Sequence, residues 1–254
     1  MKLSQNTILI TGGSGGIGYA LAAAFLKRGN TVLVTGRAED RLAAARKALP
    51  GLHTFLCDQS DPAAIVGLHA EVSSAFPDMN VLINNAGIGL KLNLNDAPRE
   101  LTDLEREIRT NLIGPIQLNS LFLPNLKRQQ ASTIVNVTSG LAFAPLAVKP
   151  IYCATKAAMH AYTQSLRVQL KHSSVRVVEL APPATATDFN KGQEDMNAGP
   201  RMDVNTLARA SLRGLERGQD EILPGPSAIL RLLGRLAPHI VLRRADGERM
   251  GAPG

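Results

Sequence analysis

The sequence predicts an α/β domain whose parallel strands are joined by helices. Three observations predict it. Short apolar runs rich in β-branched residues recur at residues 6–10, 31–35, 54–58, 81–87, 133–139 and 175–180, the mark of buried strands. Helical stretches separate these runs, the alternation that builds a parallel sheet. The chain has 254 residues, 44% of them hydrophobic, enough for one domain with a large core.

The first run leads into Thr11-Gly12-Gly13-Ser14-Gly15-Gly16-Ile17-Gly18. Residues 19–28 then read as a helix closed by Gly29, and residues 31–35 as the second strand. Strand, glycine turn, helix and strand form the context in which a glycine motif binds a nucleotide. A side chain there would hold the backbone away from a pyrophosphate, and the helix N-terminus offers unpaired N–H groups to that anion. Two registers fit. Gly13, Gly15 and Gly18 match G-x-G-x-x-G, while Gly12, Gly16 and Gly18 match T-G-x-x-x-G-x-G; the second takes in Thr11 and is preferred. After the second strand comes Gly36-Arg37, with no acid to take a ribose 2′-OH. An arginine there suits a 2′-phosphate, which favours NADP(H) over NAD(H). Gly15, where a second basic residue would strengthen that preference, tempers it.

The third run ends at Asp58, placed either to accept from an adenine amino group or to cap the turn before Asp61-Pro62. The fourth runs into Asn84-Asn85-Ala86-Gly87, where small residues admit a cofactor and amides can tie strands together. A helix is expected over residues 101–127, kinked at Gly114-Pro115. Asn111 precedes the kink, and a mid-helix Asn is unfavourable unless it is used; the kink would free its amide or carbonyl for water.

The fifth run ends at Ser139, and strand carboxyl ends line the ligand crevice of open parallel sheets. Tyr152 and Lys156 follow four residues apart, on one face of a helix. A cation beside a phenol lowers the phenol's pKa toward neutrality, where it can give or take a proton. After the sixth strand, residues 184–205 lack periodicity and read as a substrate lid. Leu141, Ala142, Phe143 and Ala144 suggest an apolar wall. Ile229, Leu232, Leu233, Leu236 and Ile240 form a helical stripe within a variable C-terminal segment 225–254, expected to pack on the domain or on a second subunit rather than to lie on a membrane surface.

The net charge of +7 comes without a basic arm, and only 4% of residues are aromatic. This argues against nucleic acid and for solvation plus attraction of an anionic cofactor. No apolar run approaches the ~20 residues of a membrane span. The first strand opens within ten residues, leaving no room for a leader. Cys57 and Cys153 lack metal-ligand spacing, so no metal is expected, and a reducing cytoplasm is the simplest compartment.

Together these motifs resemble the short-chain dehydrogenase/reductase family, over about residues 6–187. The resemblance implies a Rossmann-type, doubly wound, mostly seven-stranded parallel sheet and a homodimer or homotetramer. It implies a catalytic tetrad of Asn111, Ser139, Tyr152 and Lys156, with Tyr152 exchanging the proton, Ser139 holding the substrate oxygen, Lys156 tuning Tyr152 and Asn111 positioning a water. The substrate it implies is a small carbonyl compound or alcohol. Cofactor contacts are implied for Gly12, Ser14, Gly16, Ile17, Gly18, Arg37, Asp58, Gln59, Asn85, Ala86, Gly87, Tyr152, Lys156, Pro182 and Thr187. One departure stands out: Pro182-Pro183 replaces the family's Pro-Gly, and Pro183 has no N–H to offer. A regulatory NADPH-binding protein without turnover and a nucleotide-sugar epimerase or dehydratase are the alternatives. The intact Ser139, Tyr152 and Lys156 weigh against the first, and the short chain against the second.

Overall fold

The computed structural model describes residues 1–95, 100–190 and 201–237. Seven strands form one parallel sheet: β1 (Thr7–Ile10), β2 (Thr31–Gly36), β3 (Leu52–Leu56), β4 (Val81–Asn84), β5 (Ser132–Val137), β6 (Val175–Leu180) and β7 (Glu221–Ile222). Their order is β3-β2-β1-β4-β5-β6-β7. The chain winds outward from β1 to β3, then restarts on the other side of β1 with β4. That reversal opens a crevice at the carboxyl ends of β1 and β4.

The inner strands are buried on both faces because their successive side chains feed two cores, whereas β3 at the sheet edge leaves His53 and Leu56 exposed. Ile8 and Ile10, Val32 and Val34, and Val81 and Ile83 face one layer, with Leu21 and Phe25 of α1 (Gly16–Leu26) and Leu212 and Leu215 of α7 (Val204–Glu216). Leu9, Leu33 and Leu82 face the other. There they meet Ile65, Leu68 and Val72 of α3 (Pro62–Ala75), Phe122 of α5 (Gly114–Arg128) and Leu166 of α6 (Pro150–Gln169). The period of two sends neighbours to opposite faces, so a continuous apolar run is what a sheet covered on both sides requires.

Several boundaries differ from the sequence reading. α1 begins at Gly16 rather than near residue 19, because Tyr19 N–H already donates to Gly15 O at 3.2 Å. β3 ends at Leu56, level with the last residue of β2, leaving Cys57 and Asp58 beyond the strand. The expected kinked helix is two helices, α4 (Leu101–Ile108) and α5, joined by a wide π turn at Arg109–Ile113. Asn111 lies inside that turn, and Pro115 sits in the first turn of α5, where its missing N–H costs nothing. The stripe on α8 (Ser227–Leu236) does not pack inward: Ile229, Leu232 and Leu236 are exposed. The opposite face docks instead. Leu230 meets Gly140, and Gly234 lies so close to the Phe143 carbonyl that any Cβ would collide with it. Ile240 and the tail fall outside the described residues.

Buried amides lock the central strands. Asn84 Nδ2 donates to Asn119 at 2.7 Å and to Asn136 at 2.8 Å, and Asn136 Nδ2 donates to Thr163 at 3.0 Å. All four residues are at most 3% exposed. Removing one partner strands the others in a dry interior. Asn136→Ala should therefore destabilise the fold by about 2–4 kcal/mol, read as a lowered urea midpoint; a loss below a few tenths would refute the ladder's role.

Candidate active site

The glycine turn is shaped by contacts that exclude side chains. Gly12 has φ +66° and Gly16 φ +56°, a region that strains other residues. A Cβ on Gly12 would lie 2.9 Å from Ala86 Cα, and one on Gly18 would lie 2.6 Å from Gly12 O. The fully buried Thr11 hydroxyl accepts from Asn85 N–H at 3.0 Å and Ala86 N–H at 2.9 Å, and Asn85 Nδ2 donates to Thr11 O at 2.9 Å. Asn85 and Ala86 thus brace the turn. The N-terminus of α1 has no side-chain cap and no acidic residue in its first turn. Its N–H groups are left to an external anion. The cradle fits a dinucleotide pyrophosphate, with Gly16, Ile17 and Gly18 at its floor.

The adenosine end is marked by arginines. Burial alone would raise the Asp58 pKa, but two hydrogen bonds from Ser60 and the charges of Arg37 and Arg106 hold the carboxyl below its usual range. Asp58 Oδ1 accepts from Ser60 N at 2.9 Å and Oγ at 2.7 Å, so the turn role is met. Gln59 Nε2 donates to Thr110 O at 2.7 Å, which ties this loop to the π turn. Ser14 Oγ stands 3.0 Å from where a Gly36 Cβ would be. Arg41, from the first turn of α2 (Glu39–Ala48), lays its guanidinium over the glycine turn, 2.9 Å from where a Gly15 Cβ would be. The sequence reading missed Arg41. Its signal was the four-residue spacing from Arg37, and the missing side chain at Gly15 leaves the space that its guanidinium occupies.

All four tetrad candidates lie around the ends of β4 and β5. Asn111 Oδ1 accepts from Ile88 N at 2.9 Å, and its Nδ2 donates to Ile88 O at 2.8 Å and Thr155 Oγ1 at 3.2 Å. Its amide is therefore not freed by the turn, contrary to one option of the sequence reading; it clamps the loop after β4 onto α6. Gly87 lies between this clamp and Lys156: a Cβ there would sit 3.2 Å from Asn111 Oδ1 and 3.6 Å from Lys156 Nζ. Lys156, 4% exposed, donates to Val137 O at 2.9 Å, and its Nζ is 5.7 Å from the centre of the Tyr152 ring. Ser139 accepts from Leu141 N at 3.1 Å and hydrogen-bonds Tyr152.

The phenol shift has the opposite sign to that expected. Burial pushes Tyr152 up to about 12 against the pull of its Ser139 bond. Burial also pulls Lys156 down to about 8. Desolvation is the largest cause for both groups.

The described flanks of the segment after β6 are anchored to each other. Thr185 bridges Met202, Ala186 N donates to Met202 O, and Met202 N donates to Ala184 O, both at 2.9 Å. Thr187 approaches within 3.5 Å of a Cβ position on Gly16, so it overhangs the cradle. Phe189 lies on Tyr152, ring centres 5.6 Å apart. Pro182 O accepts from Gly140 N–H at 2.9 Å, and Pro183 O accepts from the Thr185 hydroxyl at 2.9 Å. These prolines shape the strand exit through their carbonyls. Residues 191–200 of the expected lid fall outside the described residues.

Sequence reasoning also missed a buried pair behind Ser139. Glu179, fully buried on β6, accepts from Thr138 Oγ1 at 2.6 Å and faces His160 Nδ1 at 2.7 Å. His160 sits one turn beyond Lys156, so the helix carrying the tyrosine is fastened to the strand end carrying the serine. The signal was a carboxylate near the carboxyl end of a strand, between Val178 and Leu180, where a solvent-facing acid is not expected.

Comparisons with known proteins give the family. The short chain dehydrogenase family profile matches residues 6–198, so the chain belongs to the short-chain dehydrogenase/reductase family. An uncharacterized oxidoreductase, DltE of Bacillus subtilis, is 43% identical over 224 residues, covering 87% of this chain and 89% of the relative. An NADP-dependent 3-hydroxy acid dehydrogenase of Salmonella typhi is 33% identical over 206 residues, covering 78% and 82%. A short-chain dehydrogenase/reductase from Burkholderia phymatum, solved with NAD, matches with TM-score 0.84 at 20% identity, covering 100% of both chains. The protein is an oxidoreductase of this family, with the doubly wound seven-stranded sheet the motifs predict. Among the described residues no helix is long and apolar enough to cross a membrane.

A charged Lys156 in this dry site costs stability. The cost is complete below its native pKa of about 8 and fades as pH rises toward the unfolded value of ~10.4. Lys156→Met should therefore raise the melting temperature at pH 7, with the gain shrinking by pH 10; an unchanged or lower melting temperature at pH 7 would show that the ammonium is not a burden.

Proposed function

We propose that the protein is an NADPH-dependent reductase of carbonyl compounds, reversible as an alcohol dehydrogenase. The observation that carries this reading is the convergence of Ser139, Tyr152 and Lys156 beside a cradle in which only glycine fits. A nicotinamide cofactor held by the cradle supplies the hydride.

The chain supplies position and a proton. Tyr152, kept neutral by burial, donates its phenolic proton to the carbonyl oxygen as charge develops there. Ser139 holds the same oxygen through its hydroxyl. The Lys156 ammonium stabilises the resulting phenolate and reaches the ribose hydroxyls. Asn111 keeps the loop at Gly87 and Ile88 pressed onto α6, so the proton donor and the cradle stay in register. A phenol that remains protonated at neutral pH suits the reductive direction.

Arg37 and Arg41 support NADPH over NADH: Arg41 lays its guanidinium at Gly15, and Arg37 directly follows β2 with its charge felt at Asp58. Leu101, Ile108 and Val168, exposed on α4 and α6, support a homo-oligomer through those helices.

Two outcomes are expected. Tyr152→Phe should bind NADPH with unchanged affinity while carbonyl reduction falls by about 10²–10⁴-fold, measured by cofactor titration alongside NADPH oxidation; retained turnover sinks the assignment. Arg41→Ala and Arg37→Ala should each weaken NADPH binding by about tenfold or more, with little change for NADH. Equal losses for the two cofactors would mean the arginines do not read the 2′-phosphate.

A further inference from the structure

The hydride-transfer chemistry leaves one buried polar link beside the proton donor unused. The four residues from Asn136 to Ser139 carry the end of β5 into the site, and each is tied to α6. Asn136 Nδ2 donates to Thr163 Oγ1 at 3.0 Å. Val137 O accepts from Lys156 Nζ at 2.9 Å. Ser139 hydrogen-bonds Tyr152. Thr138 makes its link through a third residue: its hydroxyl donates to Glu179 Oε1 at 2.6 Å, and Glu179 Oε2 lies 2.7 Å from His160 Nδ1. Tyr152, Lys156 and His160 are spaced by four, so they form one stripe along the helix. Tyrosine and lysine occupy two rungs of a ladder between helix and strand, and His160 with Glu179 forms the next.

This rung differs from its neighbours in what the reaction asks of it. In the proposed reaction Tyr152 gives up its proton, and Ser139 turns its hydroxyl to the substrate oxygen. Lys156 leans toward the phenolate and the ribose hydroxyls, away from Val137 O. Two of the contacts that hold α6 on β5 are therefore remade in every turnover. Glu179 is out of reach of both reactants, being 0% exposed, and Thr138 is buried beside it. The His160 ring also meets the Phe143 ring edge-on, centres 4.9 Å apart. Ser139 opens the short turn Gly140–Ala142 and Phe143 closes it. His160 thus braces the serine from both sides, through Thr138 before it and Phe143 after it. Apolar residues in place of a buried polar cluster often cost a fold nothing, so stability alone does not call for Glu179 at this position.

We propose that Glu179 and His160 are positioning residues for the hydride-transfer site. They hold α6 at a fixed distance from the end of β5, so that Ser139 and Tyr152 stay aligned on one oxygen while the bonds of Lys156 and Ser139 are remade. This inference rests on the hydride-transfer reading above.

The first test is kinetic, with benzaldehyde and 2,3-butanedione as carbonyl probes. His160→Leu should lower kcat by about tenfold to a hundredfold, while KM and the NADPH dissociation constant change by about twofold or less. His160→Asn, which returns an N–H near the Nδ1 position, should recover most of the loss. In Ser139→Ala the same His160→Leu change should lower kcat by about twofold or less, because the partner it aligns is already gone. A full loss in that background, a parallel loss of NADPH binding, or an unchanged kcat overturns the proposal. Thr138→Val cuts the same link from the strand side; it should match His160→Leu, and it takes its place if His160→Leu does not fold. The second readout needs no turnover. The chain has three tyrosines, so NMR of protein labelled with ¹³C at tyrosine Cζ resolves Tyr152. Its resonance should move in His160→Leu toward its position in Ser139→Ala, return in His160→Asn and move no further in the double variant, while Tyr19 stays still. A Tyr152 resonance indifferent to His160 sinks the proposal whatever the kinetics show. Movement as expected in a protein that reduces no carbonyl supports the alignment, and the hydride-transfer reading is then what fails.

Discussion

The Thr11 hydroxyl is the joint on which the site depends. It is wholly buried at the point where β1 and β4 part, and it receives N–H groups from both Asn85 and Ala86. These bonds hold the exit of β4 against the exit of β1, which presses Ala86 onto Gly12 and forces the turn into its left-handed conformation. α1 can then begin at Gly16 with its first N–H groups open to solvent. On the far side of β4, Asn111 continues the same work by clamping Ile88 to α6. Cradle and proton donor are thus referenced to one strand end. Displacing that end by an ångström would misplace both together, at a large cost in rate.

Around this joint the protein tolerates groups a stable core would avoid. Tyr152, Lys156 and Glu179 all bring polar or ionisable groups into apolar surroundings. Some are compensated locally, as Glu179 is by Thr138 and His160. Lys156 is compensated only by Val137 O, among the bonds described here. The two apolar layers on either side of the sheet supply the stability that permits this. Such concentration of unfavourable groups at one end of an otherwise consistent fold is what distinguishes a working site from a packing feature.

Much of this was legible in the sequence, for definite reasons. Strands covered on both faces advertise themselves as unbroken apolar runs, so β1, β2, β4, β5 and β6 were found close to their true bounds. The glycine spacing could be read because backbone conformation and close approach leave no other residue possible. What failed depended on side chains meeting across the fold. The face by which α8 docks on the domain was not legible because Gly234, which permits the contact, carries no hydrophobic signal. The sign of the Tyr152 shift was misjudged because helical spacing reports a neighbour's charge but not how dry the site is. Arg41 and Glu179 looked like ordinary helix or strand residues until tertiary structure brought them to the crevice.

The bridge between Thr185 and Met202 has a consequence for how such a protein can change. It pins both ends of the intervening stretch to the strand exit, so the entropy of closing that loop grows only slowly with added length. Insertions and replacements between Ala186 and Arg201 are thereby insulated from the register of β6 and the start of α7. A change at Thr187 or Phe189, by contrast, would reach the glycine turn and the Tyr152 ring directly, so the two flanks of the bridge differ in what a substitution there can disturb.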